Sequence, residues 1–312
     1  MTMQTAVLDN ASINYAQIAP ARPRMGAAPE IVLLHGLATN MAFWYFGVAK
    51  MLANFARVTV VDLRGHGMST MPPEGYTADE MAEDLFGVLA HLQIERAHLI
   101  GHSYGGLVAA SFAARHPSAV QSLILADVRL PSVQPQMRLS GWPLARVFAE
   151  RLKAAGIDID PENPDFGVEL LTEVAKLRLK NEGNADQLEG VLGGAKRIMG
   201  PRVAAKWLRL LEKTTAKRDF AIGSTLKPED LRAVNAPVYG MYGQNSMTLN
   251  SGRALADALP DCRFEALPKA GHFFPASRPR DFAFRSLKFL AAHTGASRRA
   301  RAGAEAEHRY LN

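Results

Sequence analysis

A mostly parallel β-sheet wrapped by helices on both faces, and split by an all-helical insertion, is the α/β architecture expected for this chain. Three observations lead there. Short, nearly pure apolar runs rich in β-formers alternate with amphipathic helical patterns through the first 127 residues. Those runs are continuous rather than alternating, which marks strands buried on both faces. The rhythm then gives way to helical patterns alone over 129–225 and resumes afterwards, so one α/β unit is interrupted.

Taken in order, the first strand falls on IVLL (31–34), followed by a helical pattern at 41–53. The strand VTVV (58–61) precedes a helix at 77–92, AHLI (97–100) precedes one at 104–115, and LILA (123–126) closes the first block. Within the insertion, 146–155, 167–179, 185–198 and 203–214 read as helices separated by Pro, Gly and Asn. Strands return at PVYGMY (237–242) and RFEAL (263–267), each leading into a helical stretch. The expected organisation is a core of 1–128 and 226–292, an insertion over 129–225, and a disordered tail at 293–312, where apolar content drops.

With 48% hydrophobic and 21% charged residues in 312, the chain can bury a large core, and disordered, collagenous and coiled-coil classes are excluded. One cysteine, Cys262, rules out a disulfide framework and a multi-thiolate metal site and points to a reducing compartment. No basic-then-apolar leader opens the chain, and no run approaches the roughly 18 apolar residues of a membrane span. A soluble, cytoplasmic protein is expected. The net charge of +6 is spread over the middle, the last third and the tail, so no nucleic-acid surface is indicated. Neither metal-ligand spacing nor a phosphate loop is present, so no cofactor is implied.

The strongest chemical signal is GHSYGG at 101–106, directly after the strand AHLI and before the helical run LVAASFAARH. A serine on so sharp a strand-to-helix turn needs small flanking residues, and the turn lifts the Ser103 hydroxyl to the sheet edge. The N–H of Tyr104, at the helix start, is aimed at an incoming carbonyl oxygen. His35-Gly36 ends an earlier strand, and there the N–H of Leu37 is the second candidate oxyanion donor. His35 reads as a loop-ordering histidine rather than a base. His272, in KAGHFF after RFEAL, is the general-base candidate: a neutral imidazole can take the Ser103 proton and return it to a leaving group.

Together HG at 35–36, DLRGHGMS at 62–69, GHSYGG at 101–106 and GHFF at 271–274 resemble the α/β-hydrolase superfamily, in its capped esterase, lipase and carbon–carbon hydrolase branch. The resemblance spans roughly 12–292, with 129–225 corresponding to the variable lid. It implies a serine hydrolase, with Asp62 and His66 structural. Relatives usually carry an Asp after the strand PVYGMYG, at the position held here by Ser246. Asp127, after LILA, is the favoured replacement because some relatives supply the acid from that strand. An amide or hydroxyl from Asn245 or Ser246, or outright loss of the acid, are the alternatives. A base without its carboxylate loses on the order of 10⁴-fold in rate.

The lid should shape an apolar pocket for a small acyl, aromatic or polyketide-like substrate. His35, Phe43, Trp44, Arg129, Trp142 and Phe273 are the candidate pocket residues, Arg129 for a substrate carboxylate. Carbon–carbon bond hydrolysis uses the same parts, and a non-hydrolytic lyase, cyclase or ligand-binding protein with a degenerate triad is the competing class.

Overall fold

The structure, a computed structural model, describes residues 2–21, 28–135, 137–180, 199–259 and 261–294. Eight strands form one sheet in the order β1-β2-β4-β3-β5-β6-β7-β8. They are β1 (Gln4–Val7), β2 (Ser12–Ile18), β3 (Glu30–Leu34), β4 (Arg57–Val61), β5 (Ala97–His102), β6 (Val120–Ala126), β7 (Val238–Gly243) and β8 (Cys262–Leu267). From β4 through β8 every pairing is parallel, while β1 and β2 are antiparallel additions at one edge.

Along β3 the side chains alternate between two cores. Ile31 and Leu33 enter the cluster built on α1, a helical run of Ala42–Trp44 and Lys50–Leu52 joined by the π turn Tyr45–Ala49. Val32 and Leu34 enter the opposite cluster, with α2 (Ala78–His91) and α3 (Tyr104–Arg115). Both faces are covered, which is why the strand sequences are apolar without alternation. The helix α2 starts where its sequence says it should. Thr77 accepts from the N–H of Glu80 at 3.3 Å, the Glu80 carboxylate accepts from the N–H of Thr77 at 3.0 Å, and Met81, Leu85, Val88 and Leu89 form the inward stripe.

Between β6 and β7 come α4 (Ala145–Ala154), α5 (Phe166–Lys180), α6 (Pro201–Lys213), α7 (Ala216–Ile222) and α8 (Pro228–Arg232). Among the described residues no strand occurs in that interval. The helix expected at 185–198, and the tail from 295, lie outside the described residues. On α6 the residues Ala204, Trp207 and Leu210 turn inward, and Trp207 stacks on Phe220 of α7 at 5.6 Å. From the same helix, Lys206 Nζ donates to the carbonyls of Gly67 (2.7 Å) and Ser69 (2.9 Å), tying α6 to the loop after β4. The chain closes with α9 (Leu249–Ala258), α10 (Phe274–Ser277) and α11 (Pro279–Ala292).

The edge hairpin β1–β2 is absent from the sequence reading, which places no strand before residue 31. Its signal is weak because SINYAQI mixes polar residues into the strand. The structure gives one of them a structural partner: buried Asn14 donates to Asp62 Oδ2 at 3.0 Å. Asp62 also accepts from the N–H groups of Met41 (2.7 Å) and Met68 (2.8 Å). This carboxylate organises two loops.

Candidate active site

Ser103 sits between β5 and α3 with φ 53° and ψ −125°, a backbone conformation that a non-glycine residue adopts at a cost of about 1–3 kcal/mol. The surroundings hold it there. Its N–H donates to Ala126 O at 3.0 Å, and its carbonyl accepts from the N–H of Gly106 at 2.9 Å. A side chain at Gly101 would run into the backbone of Gly105 and Gly106, and one at Gly105 into the carbonyls of Leu34 and His35. The glycines of GHSYGG are therefore packing requirements of the turn.

Three strand ends converge on this serine. His272, in the loop after β8, has Nε2 at 3.1 Å from Ser103 Oγ and Nδ1 at 3.0 Å from Asp127 Oδ1. Asp127 follows β6 with φ 55° and is fully buried, whereas the His272 side chain is 31% exposed. Its other oxygen, Oδ2, accepts from the N–H of Gly243 at 2.7 Å; Oδ1 also accepts from the hydroxyls of Ser246 and Thr248. Burial by itself raises a carboxyl pKa. Here the hydrogen bond from His272 and the attraction of its ring when protonated, together with the two hydroxyls, outweigh burial and hold Asp127 below its usual range. An ionised Asp127 accepting from Nδ1–H leaves the Nε2 lone pair facing the serine hydroxyl.

The loop after β3 reaches the same point. A side chain at Gly36 would stand 3.0 Å from Ser103 Cβ, so the backbone leading into Leu37 lies against Ser103. The N–H of Tyr104 belongs to the first turn of α3, where helix geometry supplies no intrahelical acceptor. Phe43 stacks on His102 at 4.6 Å, and the Phe273 ring lies 4.9 Å from that of His272, so two half-buried aromatic rings flank the histidines.

The other candidate pocket residues have structural partners of their own. Trp44 is fully buried in the core against Phe282, and Trp142 packs edge-on against Phe148. The Arg129 guanidinium donates to the carbonyls of Gln134 and Pro135, bracing its own loop. His35 is fully buried; its Nε2 accepts from the N–H of Leu63 at 3.1 Å, so its Nδ1–H donates to Gly36 O at 2.7 Å. That pattern assigns it a neutral, loop-ordering role. A cavity of about 310 Å³ opens between this loop, the loop after β4 and α6; its lining includes Ala38 and Trp207 but neither Ser103 nor His272. Among the described residues no three His, Cys, Asp or Glu side chains come together as a metal site, and no helix is long and apolar enough to cross a membrane.

Two residues escaped the sequence reading. His102, inside the serine motif, donates from Nε2 to the carbonyl of His272 at 3.0 Å and thereby fixes the histidine loop. Thr248 joins Ser246 on Asp127; the signal was a pair of hydroxyl residues two apart in NSMT after β7.

The buried imidazoles set a stability prediction. Burial pushes His35 and His98 down to about 4, and His66 and His102 down to about 3. A depressed histidine pKa means that the unfolded chain binds the proton first. The stability these groups contribute is complete above about pH 6.5 and is lost as pH falls, toward about 4 for His35 and His98 and toward about 3 for His66 and His102. Each contributes a slope of about 1.4 kcal/mol per pH unit inside that window. Urea unfolding at pH 7.5, 6 and 5 should show a steep fall in stability; an unchanged midpoint from 7.5 to 5 would contradict the neutral, buried assignment.

Residues 29–279 match the family model described as the alpha/beta hydrolase fold. The chain is 30% identical over 273 residues to a pimeloyl-[acyl-carrier protein] methyl ester esterase of Chromobacterium violaceum, covering 86% of this chain and 95% of that protein. It is 40% identical over 99 residues to the putative carbamate hydrolase RutD of Pantoea ananatis, a match spanning 31% of this chain and only 36% of that relative. Among solved structures, an enol-lactonase of Burkholderia xenovorans LB400 superposes with a TM-score of 0.64 at 24% identity, covering 92% of this chain and 100% of that one. At that identity the likeness speaks for the fold alone.

Proposed function

This chain belongs to the α/β-hydrolase fold family, and from that footing we propose that it is a serine hydrolase cleaving a carboxylic ester, lactone or thioester of an apolar acyl or aromatic substrate. What carries the reading is the unbroken line of contacts from Ser103 Oγ through His272 to a buried, ionised Asp127. Ser103 Oγ attacks the substrate carbonyl carbon while His272 Nε2 takes its proton. The oxyanion is met by the N–H groups of Leu37 and Tyr104. Collapse expels the alcohol or thiol, which leaves with the proton from His272. Water, deprotonated by the same nitrogen, then cleaves the acyl-enzyme, and the acid departs as Ser103 regains its hydrogen. The helices α4 to α7 serve as a cap over this edge of the sheet, and the lone Cys262 suits a reducing, cytoplasmic setting.

Phe43 and Phe273 favour an apolar acyl group, and the Chromobacterium relative is named for a methyl ester. A panel of p-nitrophenyl esters from acetate to decanoate tests the proposal. Hydrolysis should be saturable, with kcat/KM rising about tenfold or more from acetate to hexanoate as added methylenes are buried. A folded protein that turns over none of the panel contradicts it.

A further inference from the structure

We propose that Ser246 and Thr248 are positioning residues that cradle the Asp127 carboxylate and set the basicity of His272, an inference that rests on the hydrolase reading above. The loop after β7 is wrapped around a carboxylate that arrives from a different strand. Register explains the meeting: Ala126 pairs with Met241, and the N–H of Asp127 donates to Met241 O at 2.8 Å, so residue 127 emerges beside Gly243. The loop then turns back. The N–H of Ser246 donates to Gly243 O at 3.0 Å, and the N–H of Thr248 meets Ser246 Oγ at 3.3 Å, which aims both hydroxyls at Oδ1. Ser246 and Thr248 are themselves 5% and 4% exposed. Their hydroxyls replace the water that a fully buried carboxylate lacks.

The load on Oδ1 is the informative feature. One carboxylate oxygen receives Ser246 Oγ, Thr248 Oγ1 and His272 Nδ1, while Oδ2 has only the N–H of Gly243 among the described residues. Two neutral donors on the oxygen that faces the imidazole disperse its charge and temper its pull on Nδ1–H. They also pin that oxygen in place when His272 carries a proton between Ser103 and a leaving group. Without them Oδ1 pulls harder on the imidazolium, so the base titrates at higher pH, and the carboxylate is free to rotate away. The other titratable groups facing the pair stay out of the working range. His102, 4.8 Å from the His272 ring, is held neutral down to about 3 by burial, and the buried Tyr242 phenol of β7 is pushed up and stays protonated.

The test compares wild type with Ser246→Ala, Thr248→Val, the double variant and the conservative Thr248→Ser. With a p-nitrophenyl ester, the double variant should lose about tenfold or more in kcat with KM within about twofold. The acid limb of its kcat/KM profile should move up by about half a pH unit, and Thr248→Ser should behave as wild type. Histidine-labelled NMR reads the His272 titration without any substrate, and there too the midpoint should rise. Wild-type kcat and an unmoved titration in the folded double variant, or in both single variants if the double does not fold, overturn the proposal. A risen His272 midpoint in a protein that hydrolyses no ester would leave the cradle standing and remove the hydrolase reading instead.

Discussion

Replacing Ser103 with alanine is expected to abolish ester turnover, by about 10⁵-fold or more in kcat, while the protein keeps its fold. Alanine retains the Cβ that packs against Gly36 and leaves the strained backbone of the turn as it is, so the neighbouring strands lose no contact. What disappears is the atom 3.1 Å from His272 Nε2 that would carry the acyl group. The thermal midpoint should change little. Turnover that survives the substitution would mean that water attacks directly, and the acyl-enzyme route would be wrong.

Substituting Asp127 with asparagine should lower kcat by about 10²- to 10⁴-fold in a folded protein. The reason lies in the two different partners of the carboxylate. Gly243 N–H requires an acceptor at the Oδ2 position, so the asparagine oxygen is drawn there. Its NH₂ group then occupies the Oδ1 position and faces Nδ1 of His272. Donor meets donor unless the imidazole shifts its proton to Nε2, and that tautomer points N–H rather than a lone pair at Ser103. Burst and steady-state kinetics with one ester suffice as the check. A kcat within tenfold of wild type would show that another group orients His272, with Asn245 and Ser246 next in line.

Much of this site could be read from residue order because several of its parts lie in short contiguous motifs. Gly101 is demanded by the backbone of Gly105 and Gly106 and Gly105 by the carbonyls of Leu34 and His35, yet the motif itself is contiguous, and the strand runs announce a sheet covered on both faces. The partner of His272 was different. The sequence leaves Asp127, a hydroxyl or amide after β7, or no acid at all as open alternatives, because the answer depends on how β6 and β7 pair across more than a hundred residues. In the structure Asp127 and Ser246 are neighbours, one as carboxylate and the other as its donor. The edge hairpin went unread for a related reason: Asn14 looks like a surface residue until Asp62 is beside it. His102 reads as a filler position of the serine motif, and its hydrogen bond to the His272 carbonyl exists only once β5 and the loop after β8 are side by side.

Intact-mass analysis after brief exposure to a fluorophosphonate, with peptide mapping of the product, tests the activated serine most directly. One adduct, formed rapidly and mapped to Ser103, is the expected result, because only a serine with an oriented base and oxyanion donors attacks phosphorus fast. A folded protein that gains no mass, or that carries the label on another residue, would contradict the account.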